Sequence, residues 1–342
     1  MKKHLFRLFA AASFFVLPTC FCLSQETDTL NKKISKLETV LSKLPKVGGL
    51  LNLRYQYEDS LSSFSIRRAC LEVKGDASRW FDYRLQVEFA SAPKILDAYI
   101  RAKIKPYFNV QFGQFQIPFS LESPYAPFRL ECMDNAQVIT KLVGYDDIAF
   151  VRGIGRDIGV MFYGGLFSRE SYAVLEYSIG IFNGAGINTK DNNTSKDIVA
   201  RIDVHPLNTF TLSASGYVGE AFLNDSMKYE TRNRVGFGLR YDDEKWLFRS
   251  EYIYGLTSKT ESMGAYAVLA YTFIGKLQPV LRVDYFQRDL TTANSSQINY
   301  TVGLNYWIIK RNVGLQANYT YQTFSNSANN AGIISAMATF VF

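Results

Sequence analysis

The sequence contains only two histidines, and after residue 25 it has no run of eighteen apolar residues. A membrane-spanning helix needs about 20 predominantly apolar residues, so none is expected beyond the N-terminal region. His4 lies near the start of the chain, and His205 stands alone before Pro206. Without a histidine cluster or a Cys-x-x-Cys pair we expect no metal and no other cofactor. The same scarcity of histidine leaves a Ser-His catalytic arrangement almost without a base, so we expect no enzyme.

The first 24 residues are predicted to be a secretory signal peptide. Lys2, Lys3 and Arg7 form a basic start, and residues 8–17 form an apolar stretch too short to span a bilayer. Cys22 and Ser24 supply small residues before a cleavage site at Gln25. A lipoprotein signal ending at Cys20 is the alternative, but the preceding Pro-Thr suits it poorly. Removal of the three basic residues lowers the net charge from +7 to +4, a weak excess that argues against nucleic-acid binding.

Four cysteines are present, and two of them lie in the predicted signal peptide. The remaining pair, Cys70 and Cys132, is compatible with a disulfide in an oxidising compartment and equally with two free thiols.

Residues 25–46 have a helical pattern. Leu30, Ile34, Leu37, Leu41 and Leu44 follow the alternating spacing of four and three residues that is typical of a coiled coil. Two heptads are only marginally stable alone in water. The segment is therefore predicted to be either a short amphipathic helix or an oligomeric coiled coil on the periplasmic side.

From residue 47 onward the apolar period changes to two, which predicts β-strands. Each alternating segment has about 8–11 residues, close to the length of a tilted membrane strand. Sixteen segments are predicted: 49–57, 65–75, 81–90, 96–104, 107–115, 156–164, 172–182, 197–205, 208–218, 233–243, 245–254, 264–274, 278–287, 297–307, 312–322 and 332–342. This even number favours an all-β, sixteen-stranded antiparallel transmembrane β-barrel over residues 47–342, preceded by the short helical or coiled-coil segment.

The connections and the C-terminus support a barrel of the bacterial outer membrane. Connections after even-numbered segments are mostly short, and those after odd-numbered segments are mostly longer, as in barrels with short periplasmic turns. The longest connection is the loop 116–155. The last strand alternates and ends on Phe342, an ending that resembles the signal read by the barrel-assembly machinery.

Alternation also predicts which side chains face a water-filled lumen. Placing charges on the lipid face is costly, about 2–4 kcal/mol for Arg or Lys at the midplane. Charged side chains on the opposite face are therefore assigned to the pore wall, although each one could equally serve only to pair with a neighbouring charge. The basic wall residues are Arg68, Arg84, Arg101, Lys103, Arg201, Arg240, Arg249 and Arg282.

A series of motifs then resembles one family. It comprises F-S-I-R-R-A-C-L-E-V-K-G at 64–75, Y-R-L-Q-V-E-F-A at 83–90, L-D-A-Y-I at 96–100, V-Q-F-G-Q-F-Q-I-P-F-S-L-E at 110–122, G-R-D-I-G-V at 155–160 and S-I-G-I-F-N-G-A-G at 178–186. In this order the motifs resemble the phosphate-selective porin O and P family. The resemblance implies a trimeric outer-membrane porin whose long loop folds into the lumen.

In this chain the loop or its end carries Arg129, Lys141, Arg152 and Arg156, which are the candidates for a constriction that binds solutes. We expect passive diffusion of small hydrophilic solutes, with a preference for anions such as phosphate. A general non-selective porin and a structural or adhesive barrel are the alternatives. Changing Arg129, Lys141 and Arg152 to Gln is expected to reduce the anion preference more than changing Arg84, Arg249 and Arg282. The expected partners are membrane lipid, these solutes, the assembly machinery and two further copies of the chain.

Overall fold

The structure is a computed structural model that describes Lys33 and residues 44–125, 130–191, 193–224, 226–309, 312–325 and 330–342. The predicted signal peptide 1–24, most of the predicted helical segment 25–46, and Arg129 lie outside the described residues. No helix among the described residues is long and apolar enough to cross a membrane.

One antiparallel sheet closes on itself to form a barrel. The elements in chain order are β1 (Lys46–Glu58), β2 (Leu61–Asp76), β3 (Phe81–Glu88), β4 (Lys94–Lys105), β5 (Phe108–Gln116), α1 (Gln137–Leu142), β6 (Arg156–Ser168), β7 (Ala173–Phe182), β8 (Asp197–Leu207), β9 (Phe210–Val218), β10 (Glu220–Leu223), β11 (Lys228–Asp242), β12 (Trp246–Thr257), β13 (Thr260–Tyr271), β14 (Leu277–Gln287), β15 (Ser296–Ile309), β16 (Val313–Phe324) and β17 (Ala331–Val341). Each strand pairs with its sequence neighbours, except that β9 and β10 both pair with β11 and not with each other. β1 pairs with both β2 and β17. This last pairing closes the ring.

The short strands β9 and β10 occupy a single position in the wall. Tyr217 on β9 faces Arg234, and Glu220 on β10 faces Thr231, so the register against β11 is the same on both sides of Gly219. A side chain at Gly219 would collide with the carboxylate of Asp197, which explains why a glycine interrupts the strand. The barrel therefore has sixteen wall positions, which confirms the predicted strand number and antiparallel order.

One prediction about the connections is wrong in detail. Residues 219–232, expected to be a long loop, instead extend two strands into a hairpin. Two further connections after odd-numbered segments, which were expected to be mostly longer, are the two-residue turns Asp59-Ser60 and Ser258-Lys259. Asp59 and Ser60 both have positive φ, as a type I′ hairpin turn requires.

The two faces of the wall differ as the alternation predicted. Phe237, Tyr300 and Val302 are exposed on the outer face, whereas Asp284 and Asn305 are fully buried on the inner face. Part of the inner face is nevertheless apolar, contrary to the expectation of a polar lumen. Ile253, Tyr266, Val268 and Val280 on β12–β14, together with other buried apolar residues, form a hydrophobic core with α1 inside the ring.

Candidate functional site

The segment between β5 and β6, residues 117–155, is called the inner loop, and its described residues 117–125 and 130–155 lie inside the barrel. Its backbone is bonded to inward-facing side chains of successive strands. Asn305 on β15 donates to the carbonyl oxygen of Glu131 at 2.9 Å, and Gln316 on β16 donates to that of Leu130. The apolar face of α1 contacts β12, β13 and β14. The described parts of the inner loop therefore follow one side of the wall.

A buried carboxylate that pairs with two arginines fixes the end of the inner loop to β11. Asp147 lies 2.9 Å from Arg232 and 3.5 Å from Arg234, and all three side chains are at most 3% exposed. Two cations share one carboxylate in a region closed to solvent. Because charge pairs are strongest where water is excluded, this contact restrains the loop more than a surface pair would.

A second cluster fixes the first half of the inner loop to β12. Arg249 lies 3.2 Å from Glu122 and 2.9 Å from Glu131, so one guanidinium group joins two parts of the loop. Its side chain is 3% exposed. Arg249 therefore acts as a wall anchor for the loop and does not face the lumen.

A third cluster ties the inner loop to β1 and β2. Asp134 lies 2.8 Å from both Arg54 and Arg67. A β-bulge opposite Asn52 and Leu53 leaves Arg67 unpaired in the register, so that Arg67 and Arg68 both turn inward. Burial would raise the pKa of Asp134, but the two arginines hold it below the ordinary value of a carboxyl group. The inner loop thus carries a charged carboxylate to the β1–β2 part of the wall.

The wall formed by β2–β6, which we call the open wall, carries ion pairs of a different kind. Arg84 is 32% exposed while its partners Glu72 and Asp97 are 15% and 2% exposed. Arg101 is 39% exposed above Asp82, which is 13% exposed. Each of these carboxylates is more buried than the guanidinium group that pairs with it. The groups that meet water along these strands are therefore mainly basic.

Of the candidate constriction residues, Lys141 and Arg152 both lie near Asp146, whereas Arg156 lies against the wall. Lys141 lies on α1 and pairs with Asp146, Arg152 is exposed, and Arg156 pairs with Asp97 at 2.7 Å. Arg129 falls outside the described residues.

The candidate wall residues all lie on the inner face but divide into groups. Arg68, Arg84, Arg101 and Lys103 belong to the open wall, and Arg68 pairs with the buried Glu88. Arg201 and Arg240 line a cavity of about 260 Å³ and pair with Asp203 and Asp242. Arg249 and Arg282 are covered by the inner loop, with Arg282 bonded to the carbonyl oxygen of Asp134.

Sequence reasoning missed Arg54, Arg67 and Arg232. A strict period of two places Arg67 on the lipid face, and only the bulge moves it inward. The sequence places Arg232 at the end of a long connection, because the β10–β11 hairpin leaves no clear alternation of polar and apolar residues. The adjacent pair Arg67-Arg68 and the spacing of Arg232 from Arg234 were the available signals that basic side chains cluster at these strands.

Phe342 lies at the seam where the barrel closes. Its backbone nitrogen and oxygen both bond to Gly49, at 3.1 and 2.9 Å. The ring covers Gly49 on the outer surface, where an added Cβ would collide with it, and it remains largely exposed. The terminal residue thus contributes the last backbone pair between the two ends of the barrel.

The two cysteines of the barrel are free thiols. Cys70 lies on β2 and Cys132 on the inner loop, and both are buried. Burial raises the pKa of the Cys132 thiol to about 11, so it stays protonated at neutral pH. Among the described residues, no group of three or more His, Cys, Asp or Glu side chains is arranged to hold a metal ion.

A closed sixteen-position antiparallel barrel with an apolar outer face, a charged inner face and a long loop inside it is a porin-type β-barrel of the outer membrane. Residues 49–211 match the family model of phosphate-selective porin O and P, which confirms the resemblance seen in the motifs. No curated protein matches the sequence.

Solved structures share the fold at low sequence identity. The anion-selective porin from Comamonas acidovorans has a TM-score of 0.70 at 10% identity, over 87% of this chain and 99% of that one. The trimer form of the Vibrio cholerae outer membrane protein OmpT has a TM-score of 0.62 at 11% identity, over 87% and 99%. The Acinetobacter baumannii outer membrane channel DcaP has a TM-score of 0.61 at 13% identity, over 87% and 97%. The family match and the fold together support an outer-membrane porin channel rather than an enzyme.

Proposed function

We propose that the channel passes small hydrophilic solutes by passive diffusion and prefers anions such as phosphate. The observation that carries this proposal is the layering of charge on the open wall, where the basic group of a pair is more exposed than its acid. A recess of about 440 Å³ continues this wall and is lined by Arg101, Lys103 and Lys105, with Asp82 as the acid. An anion in the lumen therefore meets the basic member of most of these pairs first, with the exposed Asp76 beside Lys103 as the exception.

The mechanism is electrostatic. Fixed positive charge in a narrow passage with low-dielectric walls raises the local concentration of anions. Guanidinium groups suit phosphate because they offer paired donors to its oxygens. The effect reaches about 8–10 Å at ordinary salt, so it is strongest where the inner loop reduces the width of the lumen. We propose that Arg129, Lys141, Arg152 and Arg156 lie at this narrowest part.

A general, non-selective porin is the second candidate. Asp76 and Asp146 are 63% and 62% exposed beside their lysine partners, so exposed acids are also present. These acids would reduce or cancel the anion preference.

Reversal potentials in planar bilayers under a salt gradient separate the two candidates. Arg249 and Arg282 are unsuitable as wall variants, because they anchor the inner loop. We therefore compare Arg84→Gln/Arg101→Gln/Lys103→Gln with Arg129→Gln/Lys141→Gln/Arg152→Gln. We expect an anion-selective reversal potential that weakens at high salt and shifts toward zero in both triple variants, more in the loop variant. Cation preference in the unmodified protein, or no shift in either variant, would contradict the proposal.

We further propose that the chain is exported through signal peptide 1–24 and assembles as a homotrimer in the outer membrane. The heptad spacing over residues 30–44 and the trimer form of one solved barrel of this fold support the trimer. A structural or adhesive barrel would give no conductance in the same bilayer recordings.

A further inference from the structure

The first corner of the inner loop, Ser120–Ser123, is held by one buried carboxylate on the wall. Glu251 on β12 accepts hydrogen bonds from the backbone N–H of Leu121 at 2.8 Å and of Glu122 at 3.2 Å. It also accepts from the Ser120 hydroxyl at 3.1 Å and from the Tyr266 hydroxyl at 3.3 Å. Three of these four donors belong to the loop, so the carboxylate and the corner depend on each other.

Glu251 has no basic partner in the described part of the chain, where no Lys, Arg or His nitrogen lies within 4.0 Å of it. Its side chain is 2% exposed. A buried carboxylate needs hydrogen-bond donors to offset its lost hydration, and backbone N–H groups bond to a charged acceptor about twice as strongly as to a neutral one. The loop corner supplies these donors.

The shape of the corner and of the wall fits this contact. Ser120 has a φ of +76°, and its hydroxyl accepts from the N–H groups of Glu122 and Ser123, which folds the corner tightly. Arg201 on β8 donates to the Ser120 carbonyl oxygen at 3.0 Å. At Gly238 on β11 an added Cβ would stand 2.9 Å from the Cβ of Leu121. The glycine therefore allows the loop corner to approach the backbone of the wall closely.

We propose that Glu251 is the positioning residue that sets the inner loop against the wall, and that this docking hides four arginines from the lumen. Arg232, Arg234, Arg249 and Arg282 are at most 5% exposed, and each except Arg282 pairs with a loop carboxylate. Loosening the corner widens the passage and uncovers guanidinium groups. Conductance and anion preference therefore rise together. This inference rests on the proposed channel function.

The test compares Glu251→Gln with Glu88→Gln. Glu88 is the control, because it is a buried glutamate of the inner face that accepts two backbone N–H groups, from Ala69 and Ala90. Its further partners, Arg68 and Cys70, also lie outside the inner loop, so Glu88→Gln frees a wall arginine without loosening the loop corner. Both variants replace a buried carboxyl group by an amide of the same shape. We expect higher single-channel conductance, more open-channel noise and a larger shift toward anions for Glu251→Gln than for Glu88→Gln. Equal changes in the two variants would overturn the proposal.

A tether gives a second, independent measurement. In the double substitution Leu121→Cys/Gly238→Cys the two Cβ atoms would stand about 1 Å closer than the usual Cβ separation of a disulfide, so a small shift allows the bond. In Glu251→Gln, oxidation of this pair should restore the original conductance and noise, and reduction should release them again. Failure of the closed tether to restore them would overturn the role of Glu251. Recordings of the unmodified protein test the proposed function separately, because absence of conductance or cation preference there would count against the channel proposal alone.

Discussion

The buried contact of Asp147 with Arg232 and Arg234 predicts that two neighbouring substitutions release the inner loop to very different extents. Asp147→Asn keeps the shape of the side chain but removes the charge that Arg232 and Arg234 share. The neighbouring Asp146→Asn is the control, because Asp146 pairs with Lys141 in a position where the two side chains are 62% and 31% exposed. The two substituted residues are adjacent in sequence, and they differ in how far their side chains are buried.

The two substitutions should differ greatly in magnitude. Removing one partner of a buried pair costs about 3–5 kcal/mol, since it leaves charge buried without compensation. An exposed pair contributes about 0–1 kcal/mol. If the cost at Asp147 falls on the docked loop, undocking becomes about a hundredfold to several-thousandfold more frequent, at tenfold for each 1.4 kcal/mol. For Asp146→Asn the change should stay within about fivefold.

Backbone hydrogen exchange measures the docking directly. The N–H of Gln137 bonds to Asp284 on the wall at 3.2 Å, so a peptide covering residues 135–150 reports the release of the loop. We expect strongly accelerated exchange in this peptide for Asp147→Asn and near-normal exchange for Asp146→Asn, with unchanged exchange in the outer strands. Equal exchange in both variants would refute the conclusion that the buried pair holds the loop.

Three further predictions concern assembly and pH. Deleting Phe342 should lower the yield of heat-modifiable folded protein, since the seam loses its pairing with Gly49 and the terminal aromatic, and an unchanged yield would argue against an assembly signal. Cross-linking of the mature protein in mild detergent should give three chains and fewer after removal of residues 25–46, whereas a monomer would contradict the trimer. The pKa of Asp134 lies below the ordinary value near 3.9. Its ion pairs with Arg54 and Arg67 should therefore be complete at neutral pH and be lost only as pH falls through the lowered pKa. Loss of the Asp134 contact at low pH should release that part of the inner loop and increase open-channel noise. Asp134→Asn should produce the same increase at pH 7, and equal noise at every pH in the unmodified protein would contradict this.

Much of the barrel could be predicted from sequence because strand alternation is a local property. Each of the sixteen predicted segments corresponds to a wall strand, and the charged faces follow directly from period two. Alternation is uninformative where both faces are apolar. On β13, Val268 points inward and Leu269 outward, and nothing in the local sequence shows that the inward residue covers a helix.

The docking of the inner loop could not be derived in the same way. Its contacts join residues far apart in sequence, such as Asp147 with Arg232 and Glu122 with Arg249. Their charges were visible in the sequence, but opposite charges on a loop and a wall give no pairing without the fold. The bulge that turns Arg67 inward changes a single residue and leaves no periodic trace.

The hydrophobic core inside the ring joins the inner loop to strands that come much later in the chain. The loop forms its wall contacts with strands that follow it by as much as 186 residues, as in the bond from Gln316 to the Leu130 carbonyl oxygen. Contacts of such long range form late, because the entropy of closing the intervening chain must be overcome first. The apolar faces of β12–β14 stay uncovered until these strands and the loop meet. We therefore expect docking of the loop, like closure of the ring between β1 and β17, to be complete only after the late strands of the chain are in place.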